Sequence, residues 1–170
     1  MFRKPLDPIA IDPPHPWTSQ APFCSIEMGR RIKDIAIPKH QRAVLLIGEI
    51  QDPIDQQHAL NIARNRKVQC PVFCDAASGI RINNIPNQIY PIDSLLKNDR
   101  FVEDLEPDLI VRLGGSFVSK ELRLWSEKQK CTYLHIRPDI KRKTKTATIR
   151  YIANIPPELS LLTHSVTTNR

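Results

Sequence analysis

Glycine is scarce in this sequence, with five among 170 residues, and none of them belongs to a dinucleotide- or P-loop fingerprint. Gly48 is followed by Glu49, Ile50, Gln51 and Asp52, so there is no G-x-G-x-x-G fingerprint, and no Walker pattern occurs anywhere. Aromatic residues are few, at 6%, and are not interleaved with basic residues, which removes the stacking platform of a nucleic-acid binder. The net charge of +7 is scattered along the chain, so no nucleic-acid partner is expected. An anionic small-molecule partner, or no functional meaning, is left. The four cysteines contain no C-x-x-C pair, which speaks against a structural zinc site. His15, His40, His58, His135 and His164 show neither H-E-x-x-H nor H-x-H spacing and read as structural or exposed. Ser78 lies in Ala-Ala-Ser-Gly-Ile, a turn or cap sequence and not a nucleophile elbow. No apolar run approaches membrane-spanning length, and Met1-Phe2-Arg3-Lys4-Pro5 has no apolar core behind it. A soluble, cytoplasmic protein is the expectation.

Proline, by contrast, is abundant, with fifteen residues. Pro5, Pro8, Pro13, Pro14, Pro16 and Pro22 rule out a helix or an inner strand over residues 1–23. That segment reads as an extended linker pinned by Trp17 and Phe23. Ile26, Met28, Ile32 and Ile35 predict a short helix ending before Pro38. Residues 43–48 form a continuous apolar strand of the kind buried on both faces of a parallel sheet. Asp52 and Pro53 have the character of an N-cap and a first helical residue, opening a helix from 54 to about 66. In it, Ala59, Leu60, Ile62 and Ala63 face the sheet. Residues 68–75 give a second strand, with Cys70 and Cys74 on one side as buried, reduced thiols, and 76–79 turn away. Residues 80–88 read as loop, 91–96 and 101–105 as short helices. Strands over 109–113, 132–136 and 148–153, a helix over 118–129, a basic loop at 141–145 and a last helix from Pro156 or Pro157 complete the chain. Leu159, Leu161 and Leu162 belong to that last helix. Strands alternating with helices imply right-handed crossovers. The fold class is α/β: one three-layer, Rossmann-like domain over residues 24–166, with a mostly parallel sheet of five or six strands and a tail at 167–170.

Chemistry concentrates at residues 107–125, a strand, a Gly-Gly turn and a helix. Ser116 is placed to cap that helix, with Val118, Leu122 and Trp125 at helical spacing behind it. Strand-turn-helix geometry aims backbone amides and a helix start at one spot suited to an anion. Lys120 can reach back over the turn towards a carboxylate or phosphate; it can equally be a surface lysine. Arg112, inside an apolar strand, needs a partner or an exit to solvent. The rim beyond the carboxyl ends of the strands carries Gly48 and Glu49, Asp75 and Ser78, Gly114 to Ser116 with Lys120, and Arg137 and Asp139. It is polar, but it is no catalytic constellation.

Several segments together resemble the central domain of the MenD family, the thiamine-diphosphate synthases of menaquinone biosynthesis. Pro71-Val-Phe-Cys-Asp-Ala-Ala-Ser-Gly-Ile-Arg81 is similar to the family's Pro-Val-Leu-Ala-Asp-Pro-Leu-Ser-x-Leu-Arg. Tyr90-Pro-Ile-Asp-Ser-Leu-Leu96 is similar to its Tyr-Asp-Ala-Leu-Leu. Residues 107–125 are similar to Pro-Asp-(apolar)-(apolar)-Ile-Arg-(apolar)-Gly followed by Ser-Lys-x-Leu and a Trp. Tyr151-Ile-Ala-Asn-Ile155 and Phe2-Arg-Lys-Pro-Leu6 match further family segments. The resemblance implies a domain of the DHS-like NAD/FAD-binding kind. It also implies an excised piece: a pyrimidine-binding domain would precede it and a diphosphate-binding domain follow it, supplying the activating glutamate and the thiamine diphosphate and Mg2+ ligands. No catalytic, cofactor-binding or metal-binding residue is assigned here. The implied parent is a decarboxylating transferase that adds the succinyl-semialdehyde carbanion from 2-oxoglutarate to isochorismate. It would be a homo-oligomer, dimer or tetramer, assembled mainly through the other two domains, and the isolated piece is expected to be inactive. Lys120 matches the family's helix-start lysine and takes a substrate-binding role by that match, with Ser116 beside it. Glu121 stands where some relatives carry arginine. Two other readings stay open: a central domain of an acetolactate synthase-like thiamine enzyme, and a free-standing nucleotide- or anion-binding module.

Overall fold

The computed structural model describes residues 25–27, 42–138 and 149–159. The linker over 1–23, Cys24, the continuation of the expected first helix, His15, His40, His164, Asp139, the basic loop at 141–145 and the body of the last helix lie outside these residues. The elements run β1 Ser25–Glu27, β2 Ala43–Ile47, α1 Pro53–Arg64, β3 Val72–Cys74, α2 Ile92–Leu95, α3 Asp99–Leu105, β4 Leu109–Leu113, α4 Lys120–Lys128, β5 Thr132–Arg137 and β6 Ile149–Ile152. The six strands form one sheet in the order β1-β6-β5-β4-β2-β3, every pair parallel.

The two-residue period of a strand sends alternate side chains to opposite faces, and both faces are covered. Leu45, Ile47, Val72, Cys74, Leu109, Val111, Leu113, Leu134 and Ile136 pack with Ala59, Ile62 and Ala63 of α1. On the other face Val44, Leu46, Phe73, Ile110 and Tyr133 pack with Ile92, Leu96, Leu122 and Trp125. This is the three-layer α/β arrangement expected from the apolar runs. The Phe73 and Trp125 rings lie 5.9 Å apart at 42°. The helix α1 starts as its sequence dictates: Asp52 caps it through the amides of Ile54 and Asp55, and Pro53 fills a position that needs no donor. From the same helix, buried Asp55 accepts from the Ile155 amide at 2.9 Å, and His58 Nδ1 donates to the Ile155 carbonyl at 2.7 Å. The segment after β6 is thereby fastened beneath α1. The outer edge of β3 is covered by residues 87–89, through bonds from Val72 to Asn87 and from Ile89 to Val72.

Three expectations are corrected. Ile26 belongs to a strand paired with β6, not a helix, because its parallel partner outweighs a weak local period. The second strand is shorter than its sequence implies, with Cys70 just outside it. Residues 156–159 are not helical, although Leu159 is buried as a core residue. No helix among the described residues is long and apolar enough to cross a membrane.

Cys70 and Cys74 are free and buried in the same core layer. Burial pushes their thiols up, to about 11 and about 12. A raised thiol contributes stability that is complete below the ordinary value of 9.0 and is lost as pH climbs through the folded-state value. Resistance to urea should therefore fall between about pH 9 and pH 12, and the Cys70→Ala/Cys74→Ala double variant should show a flatter decline. An equally steep decline in the double variant would contradict this source.

Candidate functional site

The site begins where β2 and β4 end. Gly114 has φ +80°, and a Cβ there would lie 2.6 Å from the Glu49 carbonyl oxygen. A Cβ on Gly48 would meet the Gly115 carbonyl oxygen at 2.6 Å. The strand ends thus touch backbone to backbone, which only glycine permits. Gly48 donates to Leu113, Gly115 to Glu49, Glu49 to Ser116 and Gly114 to Ile136. Two buried side chains lock the turn from beneath. His135 Nε2 donates to the Gly114 carbonyl at 2.7 Å, which fixes the proton on that nitrogen. Arg112 donates to the Gly115 carbonyl and stacks on Phe117, its Cζ 3.9 Å from the ring centroid. Burial lowers the Arg112 pKa, opposed by Tyr133 beside it. The strand arginine has the partners its sequence position demanded.

The helix does not start at Ser116. Ser119 is its N-cap, accepting from the Leu122 amide at 3.0 Å, and Lys120 is its first residue. Ser116 is half-buried, with its carbonyl bonded to the Glu49 amide. Val118, expected on the buried face, is 72% exposed, and Phe117 is buried instead. Two serines stood three residues apart, and the longer turn is favoured because it lets Phe117 meet Arg112.

The expected anion position is already filled from within. Asp75, 1% exposed at the end of β3, accepts from the Val118 amide at 3.1 Å and the Ser119 amide at 2.9 Å. It also caps its own 3-10 turn, Ala76–Ser78, through the Ala77 amide at 3.0 Å. A carboxylate at a helix start satisfies orphan donors and the helix dipole together. The turn amides at Gly114, Gly115, Val118 and Ser119 all have partners within the chain, so these four offer nothing to an external anion.

Those side chains line an open cleft of about 280 Å³ between the β3 loop, α2 and the start of α4. Lys120 lines it and is exposed; Ser116 does not reach it. Arg81, Asp93 and Lys97 also line it. The Ser119 hydroxyl donates to Asp93, tying α2 to α4 across the cleft floor. Asp75 was visible in the sequence as a rim residue. Arg81 and Asp93 lay within segments matched to a family, but no local pattern marked them as site residues, and Lys97 carried no signal at all. Among the described residues, no group of three His, Cys, Asp or Glu side chains converges to hold a metal ion.

Residues 10–164 match the family described as the middle domain of thiamine pyrophosphate enzymes. The chain belongs to this family. It is 27% identical over 145 residues to 2-succinyl-5-enolpyruvyl-6-hydroxy-3-cyclohexene-1-carboxylate synthase of Chlorobaculum tepidum, covering 75% of the chain and 24% of that protein. The synthase of the same name from Trichormus variabilis is 32% identical over 139 residues, covering 73% of the chain and 24% of the relative. That of Bacillus velezensis is 26% identical over 146 residues, covering 72% and 25%. The chain spans about a quarter of the length of the curated relatives it matches. Within the middle-domain fold, Lys120 falls at the carboxyl edge of the sheet, where open α/β sheets gather ligands.

Asp75→Ala would leave three part-buried amides without their carboxylate and should cost about 2–4 kcal/mol in urea unfolding. Asp75→Asn keeps one accepting oxygen and should lose less. A loss below about 1 kcal/mol for the alanine variant would contradict the clamp.

Proposed function

We propose that this chain serves as the central domain of a MenD-type synthase, its cleft forming one wall of an active site completed by neighbouring domains. The supporting observation is the family match across residues 10–164, joined to a lysine on the cleft at the sheet's carboxyl edge. The parent reaction is the decarboxylation of 2-oxoglutarate and the addition of the resulting succinyl-semialdehyde unit to isochorismate, a transferase activity in the cytoplasm. Both substrates are carboxylates, and Lys120 pairs with one of them. A charge-assisted hydrogen bond of this kind contributes about 1.5–3 kcal/mol. Ser116 stands outside the cleft, at the base of the turn, where its carbonyl accepts from the Glu49 amide; its part in substrate binding is indirect, through the turn that precedes Lys120.

Thiamine diphosphate, when bound, supplies the carbanion chemistry. Among the described residues no metal-ligand group gathers, and the Val118 and Ser119 amides before α4 are taken by Asp75. The resemblance to the MenD family is what assigns the cofactor and Mg2+ to the pyrimidine- and diphosphate-binding domains, and the homo-oligomeric assembly to the same two domains. This chain's residues bind and orient substrate; no proton transfer is assigned to them.

In a synthase carrying this domain, Lys120→Ala should raise KM for one carboxylate substrate about tenfold to a hundredfold while unfolding stays unchanged. Unaltered kinetics would refute the substrate role.

A further inference from the structure

Cations and carboxylates are equal in number on the cleft lining, with Arg81, Lys97 and Lys120 against Asp75, Asp93 and Glu121. Asp75 is buried and bonded to three backbone amides. Glu121 lies at the half-buried shoulder of α4. Asp93 is exposed, on the first turn of α2, and accepts from the Ser119 hydroxyl. A carboxylate on the same lining weakens the hold of a cation on an incoming anion, because like charges repel. What Asp93 contributes lies in its hydrogen bond.

The short helix that carries Asp93 is well fixed for its length. Ile92 and Leu96 are buried in the same core layer as Leu122 and Trp125 of α4. The Leu95 and Leu96 amides donate to the Pro91 and Ile92 carbonyls, and the Tyr90 hydroxyl donates to the Arg81 carbonyl. Asp93 therefore presents its oxygen from a braced backbone. The hydroxyl that it receives has a second partner, because Ser119 Oγ accepts from the Leu122 amide at 3.0 Å as the N-cap of α4. A serine hydroxyl rotates unless its proton has an acceptor, and a donated proton strengthens acceptance on the same oxygen. With Asp93 taking the proton, a lone pair stays on the Leu122 amide and the first turn of α4 keeps one geometry. Lys120 is the first residue of that turn, and it forms no ion pair with another described residue that would hold it independently.

Resting on the carboxylate-wall reading of this cleft, we propose that Asp93 is a positioning residue. Acting through Ser119, it holds the start of α4 so that Lys120 meets its substrate from a backbone already fixed. The contribution is to affinity, since less freedom is lost on binding. A carboxylate that acted only by its charge would have the opposite sign, because its removal would tighten the grip of Lys120 on an anion. The sign of the effect separates a latch from a bystander.

In a synthase carrying this domain, Asp93→Ala should raise KM for the carboxylate substrate that Lys120 takes about threefold to tenfold and leave kcat within about twofold. Asp93→Asn, whose amide oxygen still accepts the Ser119 proton, should return KM to the native value or below it. In a Lys120→Ala background, Asp93→Ala should add nothing further. In the 170-residue chain, exchange of the Leu122 amide should quicken about fivefold or more in Asp93→Ala and not in Asp93→Asn, with urea unfolding cooperative in both. A lowered KM in Asp93→Ala, an added effect in the Lys120→Ala background, or unchanged Leu122 exchange overturns the proposal. If Lys120→Ala raises KM while Asp93→Ala does not, the wall reading survives and the latch fails. Unaltered kinetics in Lys120→Ala removes both.

Discussion

A carboxylate from one strand seals the start of a helix that follows another, and the cleft depends on that contact. Asp75 ends β3 and binds the Val118 and Ser119 amides that open α4, two strands away across the sheet. β3 and α4 flank the cleft, so the bond sets its width. Ser119, held by Asp75 through its amide, then uses its hydroxyl twice, accepting from Leu122 and donating to Asp93. The chain from Asp75 through Ser119 to Asp93 joins β3, α4 and α2, and Lys120 is the next residue along. A cation on a fixed helix start binds better than one on a free loop, because less freedom is lost on binding.

The buried polar residues of β4 and β5 follow the same logic from the other side. Arg112 and His135 are register partners on adjacent strands, and both donate to carbonyls of the Gly-Gly turn. Buried donors are costly unless partnered, and here their partners are the backbone groups that a tight turn leaves outside the ladder. Glycine lets β2 and β4 meet at that turn; Arg112 and His135 keep it from relaxing. Rigidity therefore runs continuously from the sheet core to the cleft wall.

Much of this was readable in the residues. The short apolar runs at 43–47 and 109–113 read as doubly covered parallel strands, and Asp52-Pro53 reads as a helix start, as found. The register between Ser116 and Ser119 was not readable, because both serines can cap and the choice is made by Phe117 packing on Arg112, a tertiary contact. Ile26 was misread because three residues of edge strand carry too little pattern to oppose a helical period. Lys120 was identifiable by position, but Arg81 and Lys97 join it only through the path of the 80–98 segment, which no local pattern encodes. The sealing of α4 by Asp75 reverses the simplest reading of the Gly-Gly-Ser sequence: the anion is there, and it is part of the protein.

Membership of the thiamine enzyme middle-domain family and the sealed helix start support one account together. In the proposed function, the domain contributes a braced wall with side-chain cations and neighbouring domains carry the cofactor chemistry. Amide hydrogen exchange at Val118 and Ser119 tests the brace most directly. Both amides sit in a loop, where exchange is ordinarily fast. If Asp75 holds them, they exchange as slowly as the β4 amides in the native chain and become fast in Asp75→Ala. Fast exchange at both positions in the native protein would contradict the account.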